Sequence, residues 1–130
     1  MRIYLICPVR RCTPEIKKKL DAYVARLEAQ GHSVHYPHRD VDQKTDGACI
    51  CREHYKAMQS ADAIHVWWVP GISTGTYFDF GMAYALAQQN EALKFVIANP
   101  EEAPEFNHHS YFYVLMVLIG ERNESWIRSS

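Results

Sequence analysis

Asp79 is the one charged residue in the segment STGTYFDFGMAYALAQ, which spans residues 73–88 and joins a hydroxyl-rich turn to a helical pattern. In the predicted helix, Asp79 shares its face with Met82 and Ala83, so the carboxylate points where the apolar stripe points. The helix dipole stabilises an acidic side chain near a helix start, which is a structural explanation for the aspartate. Because an apolar face desolvates a carboxylate at a cost in free energy, a chemical role for Asp79 is the alternative.

The turn itself, residues 73–76, is a second candidate site because it offers hydroxyls and backbone N–H groups just before the helix. Such a turn can bind an anion. It lacks the G-K-[ST] of a P-loop and the G-x-G-x-x-G of a dinucleotide site, so an ordinary turn is the alternative. Arg10 and Arg11 follow the first predicted strand and are expected to face Ser73. An arginine there can hold a phosphate or carboxylate through two hydrogen bonds; otherwise both are solvated surface residues.

Histidines and tryptophans supply further candidates. His108 and His109 lie in a predicted loop near this site and are candidate ligand contacts. His65 lies inside a hydrophobic strand, which predicts a hydrogen-bonded core residue. Trp67 and Trp68 point to opposite faces of that strand and are expected in the core, although either can wall a base pocket, since nucleobases stack on aromatic rings.

The cysteines offer little support for a metal site. Cys49 and Cys51 form a C-x-C pair with His54 nearby. Zinc sites usually use C-x2-4-C together with a second pair of ligands, and no second pair is evident. The sequence therefore favours free thiols in a reducing cytoplasm and no metal.

Composition limits the class of protein. The chain has 130 residues, which predicts one domain over 1–130, with 48% hydrophobic and 22% charged residues. Fourteen basic and fifteen acidic residues give a net charge of -1, and no basic stripe suggests a nucleic acid polymer as partner. The apolar runs are too short to span a membrane, and the start MRIYLICPVRR is interpreted as a strand rather than a signal peptide. We therefore expect a cytoplasmic protein.

Strand and helix patterns alternate along the chain. Strands are predicted at residues 3–7, 33–37, 63–69 and 93–98, with helices after Thr13, over 48–60, in the Asp79 segment and from Ser110 to Ile119. The last segment can also be a strand, but Ser110 as a cap favours a helix. Residues 38–47 are polar and are predicted to form a surface loop.

This alternation predicts a parallel sheet with right-handed crossovers and helices on both faces. In such sheets ligands bind at the carboxyl ends of the strands. The loops 8–12, 70–76 and 99–109 are expected to meet there.

Three stretches, IYLICPVRR, SADAIHVWWV and above all STGTYFDFGMAYALAQ, resemble the nucleoside 2-deoxyribosyltransferase superfamily, which includes nucleotide N-glycoside hydrolases. The resemblance runs from the first strand to about Ser110. It implies an α/β, flavodoxin-like or Rossmann-like three-layer sandwich with a parallel sheet of about five strands. It also implies cleavage or exchange of an N-glycosidic bond without cofactor or metal, by a homodimer or larger assembly.

The resemblance carries roles to individual residues. Asp79 falls on the family's nucleophilic glutamate, and Tyr4 matches a tyrosine that orients it. Ser73 and Arg10 fall where the nucleotide hydrolases bind the 5′-phosphate. Ser110 resembles a serine that reaches the phosphate of a neighbouring subunit's ligand. These matches favour a nucleoside monophosphate over a free nucleoside.

Other positions extend or depart from the family pattern. Gly75 belongs to the glycine-rich turn and is a candidate for binding phosphate or sugar. Trp68, His54 and His109 are candidates for the base pocket. Asp79 is one methylene shorter than the family glutamate, and His54 stands where many members have an aspartate.

The leading hypothesis is hydrolysis of the N-glycosidic bond of a (deoxy)nucleoside 5′-monophosphate, with release of free base and sugar phosphate. One alternative is a nucleoside 2-deoxyribosyltransferase that acts on free nucleosides. Another is a catalytically weak nucleotide-binding or sensing domain, which the short Asp79 and His54 favour. A third is a small flavodoxin-like domain that binds flavin mononucleotide in the same loops.

Overall fold

The computed structural model describes residues 1–69, 74–105 and 107–122. Within these ranges the strands are β1 (Arg2–Ile6), β2 (Ser33–His35), β3 (Ala63–Val66) and β4 (Lys94–Ile97). The helices are α1 (Pro14–Ala29), α2 (Pro37–Asp40), α3 (Gly47–Gln59), α4 (Thr74–Gln89) and α5 (Tyr111–Arg122), and a 3-10 turn spans Pro100–Glu102.

All strand pairs are parallel, and the strand order is β2-β1-β3-β4. The central strands β1 and β3 are buried on both faces, which explains why each reads as a continuous apolar run. This order and the helical crossovers confirm the predicted flavodoxin-like α/β fold. The expected number of about five strands is wrong for the described residues, which form four. After β4 the chain turns at Pro100–Glu102 and continues as a helix instead.

Two apolar clusters cover the two faces of the sheet. On one face, α1 packs Leu20, Val24 and Leu27 against β1 and β2. On the other face, α3, α4 and α5 pack around Ile64 and Val66 of β3 and Phe95 of β4. The sheet is therefore the middle of three layers, as predicted.

Local capping signals in the sequence predicted two helix starts correctly. The Thr13 hydroxyl accepts the Ile16 N–H at 3.2 Å and begins α1. The helix ends before Gly31, whose φ of 93° lies in the left-handed region that favours glycine. The Ser110 hydroxyl accepts the Tyr113 N–H at 3.1 Å, which confirms that the last apolar segment is a helix with Ser110 as its cap.

Hydrogen bonds between side chains and the backbone explain why two predicted boundaries are wrong. The loop predicted over 38–47 begins inside the short helix α2, because the Asp40 carboxylate accepts the Tyr36 N–H at 2.8 Å and closes a turn. The strand predicted over 63–69 ends at Val66. Beyond it, the backbone N–H and C=O of Trp68 both bond to the buried amide side chain of Asn99, each at 2.9 Å.

No helix in the described ranges combines the length and apolar character that a membrane span requires.

Candidate active site

A cleft of about 520 Å³ opens at the carboxyl end of β1. Three segments line it: residues 7–11, which follow β1; residues 43–54, which include the first half of α3; and residues 74–79 at the start of α4. Of the three loops expected to meet here, described residues of 8–12 and 70–76 line the cleft, whereas no described residue of 99–109 does. The volume lies within the range of small-molecule sites in proteins.

Asp79 lies in the second turn of α4, at the inner end of the cleft, and is 6% exposed. Ala83 and Ala87 on the same helix face are fully buried, so α4 approaches the sheet closely. This close approach brings the carboxylate to the side chains of β1. The apolar spacing in the sequence predicted correctly that Asp79 points inward.

Two side chains hydrogen-bond to the Asp79 carboxylate. The Tyr4 hydroxyl on β1 donates to Oδ2 at 3.1 Å. The Nδ1 atom of His54 on α3 lies 3.1 Å from Oδ1 and 3.0 Å from Oδ2. Because hydrogen bonds to a carboxylate are charge-assisted, these contacts offset much of the cost of burying it.

Tyr4 is fully buried and is fixed from two sides by aromatic rings. Its ring stacks on His35 at 5.1 Å between centroids and meets the edge of His54 at 6.0 Å. Burial raises the pKa of the Tyr4 hydroxyl well above its usual value, and the charge of Asp79 and the hydrogen bond to it raise the pKa further. Tyr4 therefore remains a neutral donor to the carboxylate.

Arg10 and Arg11 are exposed and line the same cleft as Asp79. Arg11 has a φ of 60°, a left-handed conformation that costs a non-glycine residue on the order of 1 kcal/mol or more. Asp79 is the one acidic side chain among the described residues that line the cleft. The two guanidinium groups make the outer part of the cleft suitable for an anion.

The remaining sequence candidates for phosphate and sugar binding are dispersed. Gly75 lines the cleft, in the first turn of α4. Ser73 lies outside the described residues. The Ser110 hydroxyl is occupied as a helix cap, since it also donates to the Asn107 carbonyl at 2.8 Å. Ser110 is not among the described residues around the cleft.

The three candidates for the base pocket have different positions. His54 lines the cleft and bonds to Asp79. Trp68 is 4% exposed and packs in the core against Phe80 and Phe112, as its strand position predicted. His109 is exposed in the turn before α5. Neither Trp68 nor His109 belongs to the cleft lining within the described ranges.

Sequence reasoning missed the aromatic and thiol groups that line the cleft. Phe78 precedes Asp79 and is 58% exposed at the cleft. Cys7 and Cys51 also line it. Burial raises the pKa of the Cys7 thiol, so this group stays protonated and is a poor nucleophile. Of these features, helical periodicity could have indicated only the exposure of Phe78, because Phe78 lies off the apolar face of α4.

All four cysteines are free thiols. Across residues 1–69, 74–105 and 107–122, no group of three or more His, Cys, Asp or Glu side chains is arranged to hold a metal ion.

Comparison with known proteins yields a structural likeness and no sequence match. No protein-family model matches the sequence, and no curated protein matches it significantly. Among solved structures, the CMP N-glycosidase BcmB of Clostridium botulinum aligns with 91% of this chain and 82% of its own, with a TM-score of 0.57 and 18% sequence identity. The chain therefore has the fold of this N-glycosidase, as the resemblance in the sequence predicted.

Proposed function

We propose that the protein hydrolyses the N-glycosidic bond of a (deoxy)nucleoside 5′-monophosphate, with Asp79 as the nucleophile. The observation that carries this proposal is a buried carboxylate in a cleft that two arginines also line, held by hydrogen bonds to Tyr4 and His54. The fold shared with a CMP N-glycosidase supports a nucleoside monophosphate as the class of substrate.

In the proposed reaction, an Asp79 oxygen attacks the anomeric carbon of the sugar. The carbon–nitrogen bond breaks, its electron pair leaves with the base, and a glycosyl ester forms on Asp79. The hydroxyl of a water molecule then bonds to the anomeric carbon as the ester bond to Asp79 breaks, and the remaining proton of the water goes to the departed base, which releases the sugar phosphate, the free base and the free carboxylate. Tyr4 orients the carboxylate by donating its hydroxyl proton in a hydrogen bond, which its raised pKa preserves. A negative oxygen also stabilises the oxocarbenium-like transition state.

Binding of the substrate uses the outer cleft. Arg10 is proposed to hold the 5′-phosphate, and the backbone at Gly75 adds N–H groups beside it. The proposed contact of Ser73 with the phosphate rests on the family resemblance alone. The exposed ring of Phe78 and the side chain of Ile50 offer apolar surface to a nucleobase. A role for Ser110 requires a second subunit, so we propose a homodimer or larger assembly.

The alternative of a catalytically weak nucleotide-binding domain is favoured by one observation. Both oxygens of Asp79 are occupied by hydrogen bonds, and the residue is 6% exposed. If these bonds hold the carboxylate too far from the anomeric carbon of the sugar, a nucleotide binds without turnover. A transferase would use a second base in place of water.

Incubation of the pure protein with a panel of nucleoside and deoxynucleoside monophosphates, followed by chromatography of the free base, tests the proposal. We expect base release from at least one nucleotide, and no transfer to an added second base. The catalytic proposal fails if no nucleotide releases base, or if Asp79→Ala releases as much as the wild type. Saturable binding without release would support the binding domain.

The phosphate contact is tested by Arg10→Ala. Loss of a hydrogen-bonded ion pair to phosphate costs about 1.5–3 kcal/mol, which is roughly a 10- to 100-fold rise in KM for the monophosphate. The matched control is Arg2→Ala, which removes an arginine whose side chain does not line the cleft among the described residues. An unchanged KM in Arg10→Ala would remove Arg10 from the proposed phosphate site.

A further inference from the structure

His54 is an unusual partner for a buried carboxylate because one imidazole nitrogen serves both of its oxygens. Nδ1 lies 3.1 Å from Oδ1 and 3.0 Å from Oδ2 of Asp79. Both side chains are nearly removed from water, with 10% and 9% of their surface exposed. A bond shared between the two oxygens restricts rotation of the carboxylate, which the single bond from Tyr4 to Oδ2 does not do alone.

The other nitrogen of the ring indicates which protons His54 carries. Nε2 is buried and has no hydrogen-bond partner among the described residues. A proton on Nε2 would therefore be a buried, unpaired donor, which costs about 1–3 kcal/mol or more for a charged group. A neutral ring with its proton on Nδ1 makes the bond to Asp79 and leaves Nε2 as an unpaired acceptor, which costs less than an unpaired donor on a charged ring.

Three titratable side chains approach the His54 ring from three elements. Asp79 comes from α4, Tyr4 from β1 and His35 from β2. Tyr4 is a neutral phenol because its pKa is raised. Burial lowers the pKa of His35, so His35 is neutral as well.

Titratable groups farther from His54 do not change the neutral state of Tyr4 and His35. Cys7 and Cys51 lie near Tyr4, and burial keeps the Cys7 thiol protonated. Glu53 on α3 and Asp40 on α2 act on His35, whose pKa they raise less than burial lowers it. Asp79 is thus the charged group that His54 contacts directly.

We propose that His54 is a positioning residue that acts through Asp79, and that it does so as a neutral imidazole. Its Nδ1–H fixes the direction of the carboxylate while leaving the negative charge of Asp79 uncompensated for attack on the sugar. This inference rests on the proposed function. It adds that the activity depends on an uncharged donor at position 54, which an arginine, a lysine or a protonated histidine would not provide.

Substitutions at position 54 can remove the hydrogen-bond donor to Asp79 or keep a donor that cannot become charged. His54→Asn places an amide N–H near the position of Nδ1 and cannot take up a proton. His54→Leu removes the donor. A displacement of a reacting group by about 1 Å costs on the order of 100-fold in rate. We therefore expect a loss of that order in kcat for His54→Leu with little change in KM, and a kcat within about tenfold of wild type for His54→Asn.

The split between kcat and KM distinguishes positioning from a purely structural role. Loss of the donor in His54→Leu should lower kcat and leave KM nearly unchanged, and the amide donor of His54→Asn should restore most of kcat. A wild-type kcat in His54→Leu, or a kcat in His54→Asn as low as in His54→Leu, overturns the proposal. If His54→Leu does not fold, as judged by circular dichroism, His54→Gln replaces it, because its longer amide does not place a donor at Nδ1.

Nuclear magnetic resonance of the imidazole nitrogens tests the same inference without turnover. At neutral pH in the free protein, we expect His54 to carry its proton on Nδ1 and none on Nε2. A proton on Nε2, with or without one on Nδ1, overturns the proposal. If the Nδ1–H form is found while wild type cleaves no nucleotide, the proposed reaction fails and the neutral His54–Asp79 pair stands.

Discussion

Two histidines are buried in different surroundings, His65 on β3 and His54 on α3. His65 on β3 lies 2.6 Å from the Tyr23 hydroxyl of α1, beneath the helix that covers one face of the sheet. His54 on α3 bonds to the Asp79 carboxylate, which Tyr4 also contacts, at the inner end of the cleft. Both histidines are 8% exposed, so burial alone does not distinguish them.

The distinction comes from the charge of the partner and from the place in the sheet. Tyr23 is neutral, and burial lowers the pKa of His65 to about 4, so His65 acts as a hydrogen-bonded core residue, as predicted. Asp79 is a carboxylate, and it lies where the parallel strands end and a ligand can approach. A histidine in the core is therefore a structural element or part of a proposed site according to what its ring contacts.

The largest effect that this comparison predicts is at Asp79. Asp79→Asn keeps the size of the side chain and removes the nucleophile, so we expect base release to fall on the order of 1,000-fold or more. Chromatographic assay of the free base measures it. Tyr23→Phe, in the His65 pair, is the matched control and should keep the wild-type rate. Equal loss in both variants would mean that the two regions do not differ in function.

The two tyrosines provide a smaller and sharper test. Tyr4→Phe removes a donor to the proposed nucleophile, and we expect kcat to fall roughly tenfold to 100-fold, since loss of orientation by about 1 Å has an effect of this size. Tyr23→Phe leaves a buried histidine without its partner, which should cost about 1–3 kcal/mol of unfolding free energy and leave kcat unchanged. Urea titration and steady-state kinetics measure both quantities in each variant. A kcat loss in Tyr23→Phe that exceeds the loss in Tyr4→Phe would reverse the assignment.

The smallest effect concerns the stability of the His65 pair as pH falls. The pKa of His65 is about 4 in the folded protein against 6.5 for an ordinary histidine, so the unfolded chain binds the extra proton between these values. Stability therefore decreases as pH falls from about 6.5 toward 4. In His65→Gln this contribution disappears, and the change in the urea midpoint between pH 7 and pH 5 should be smaller than in wild type. An equal change in both proteins would show that His65 does not make this contribution.

Local signals account for what the sequence predicted well. The hydroxyls of Thr13 and Ser110 cap helices a few residues away, and the apolar spacing around Asp79 shows which way it points. The predicted end of the third strand was wrong because the backbone there bonds to a residue that is distant along the chain. The Asn99 side chain takes both backbone groups of Trp68, 31 residues earlier in the chain, and ends the third strand before its apolar pattern ends.

The alternation of strands and helices, the parallel sheet and the inward aspartate follow from the sequence because period and capping act over a few residues. The partners of Asp79 do not follow from these local patterns: Tyr4 was expected from the family resemblance alone, and His54 was expected in the base pocket rather than at the carboxylate. Tyr4 and His54 lie 75 and 25 residues away along the chain. They meet Asp79 because β1 occupies the centre of the sheet and α3 and α4 pack on the same face. Strand order and helix packing, which depend on the whole core, decided that His54 bonds to a carboxylate while His65 bonds to a phenol.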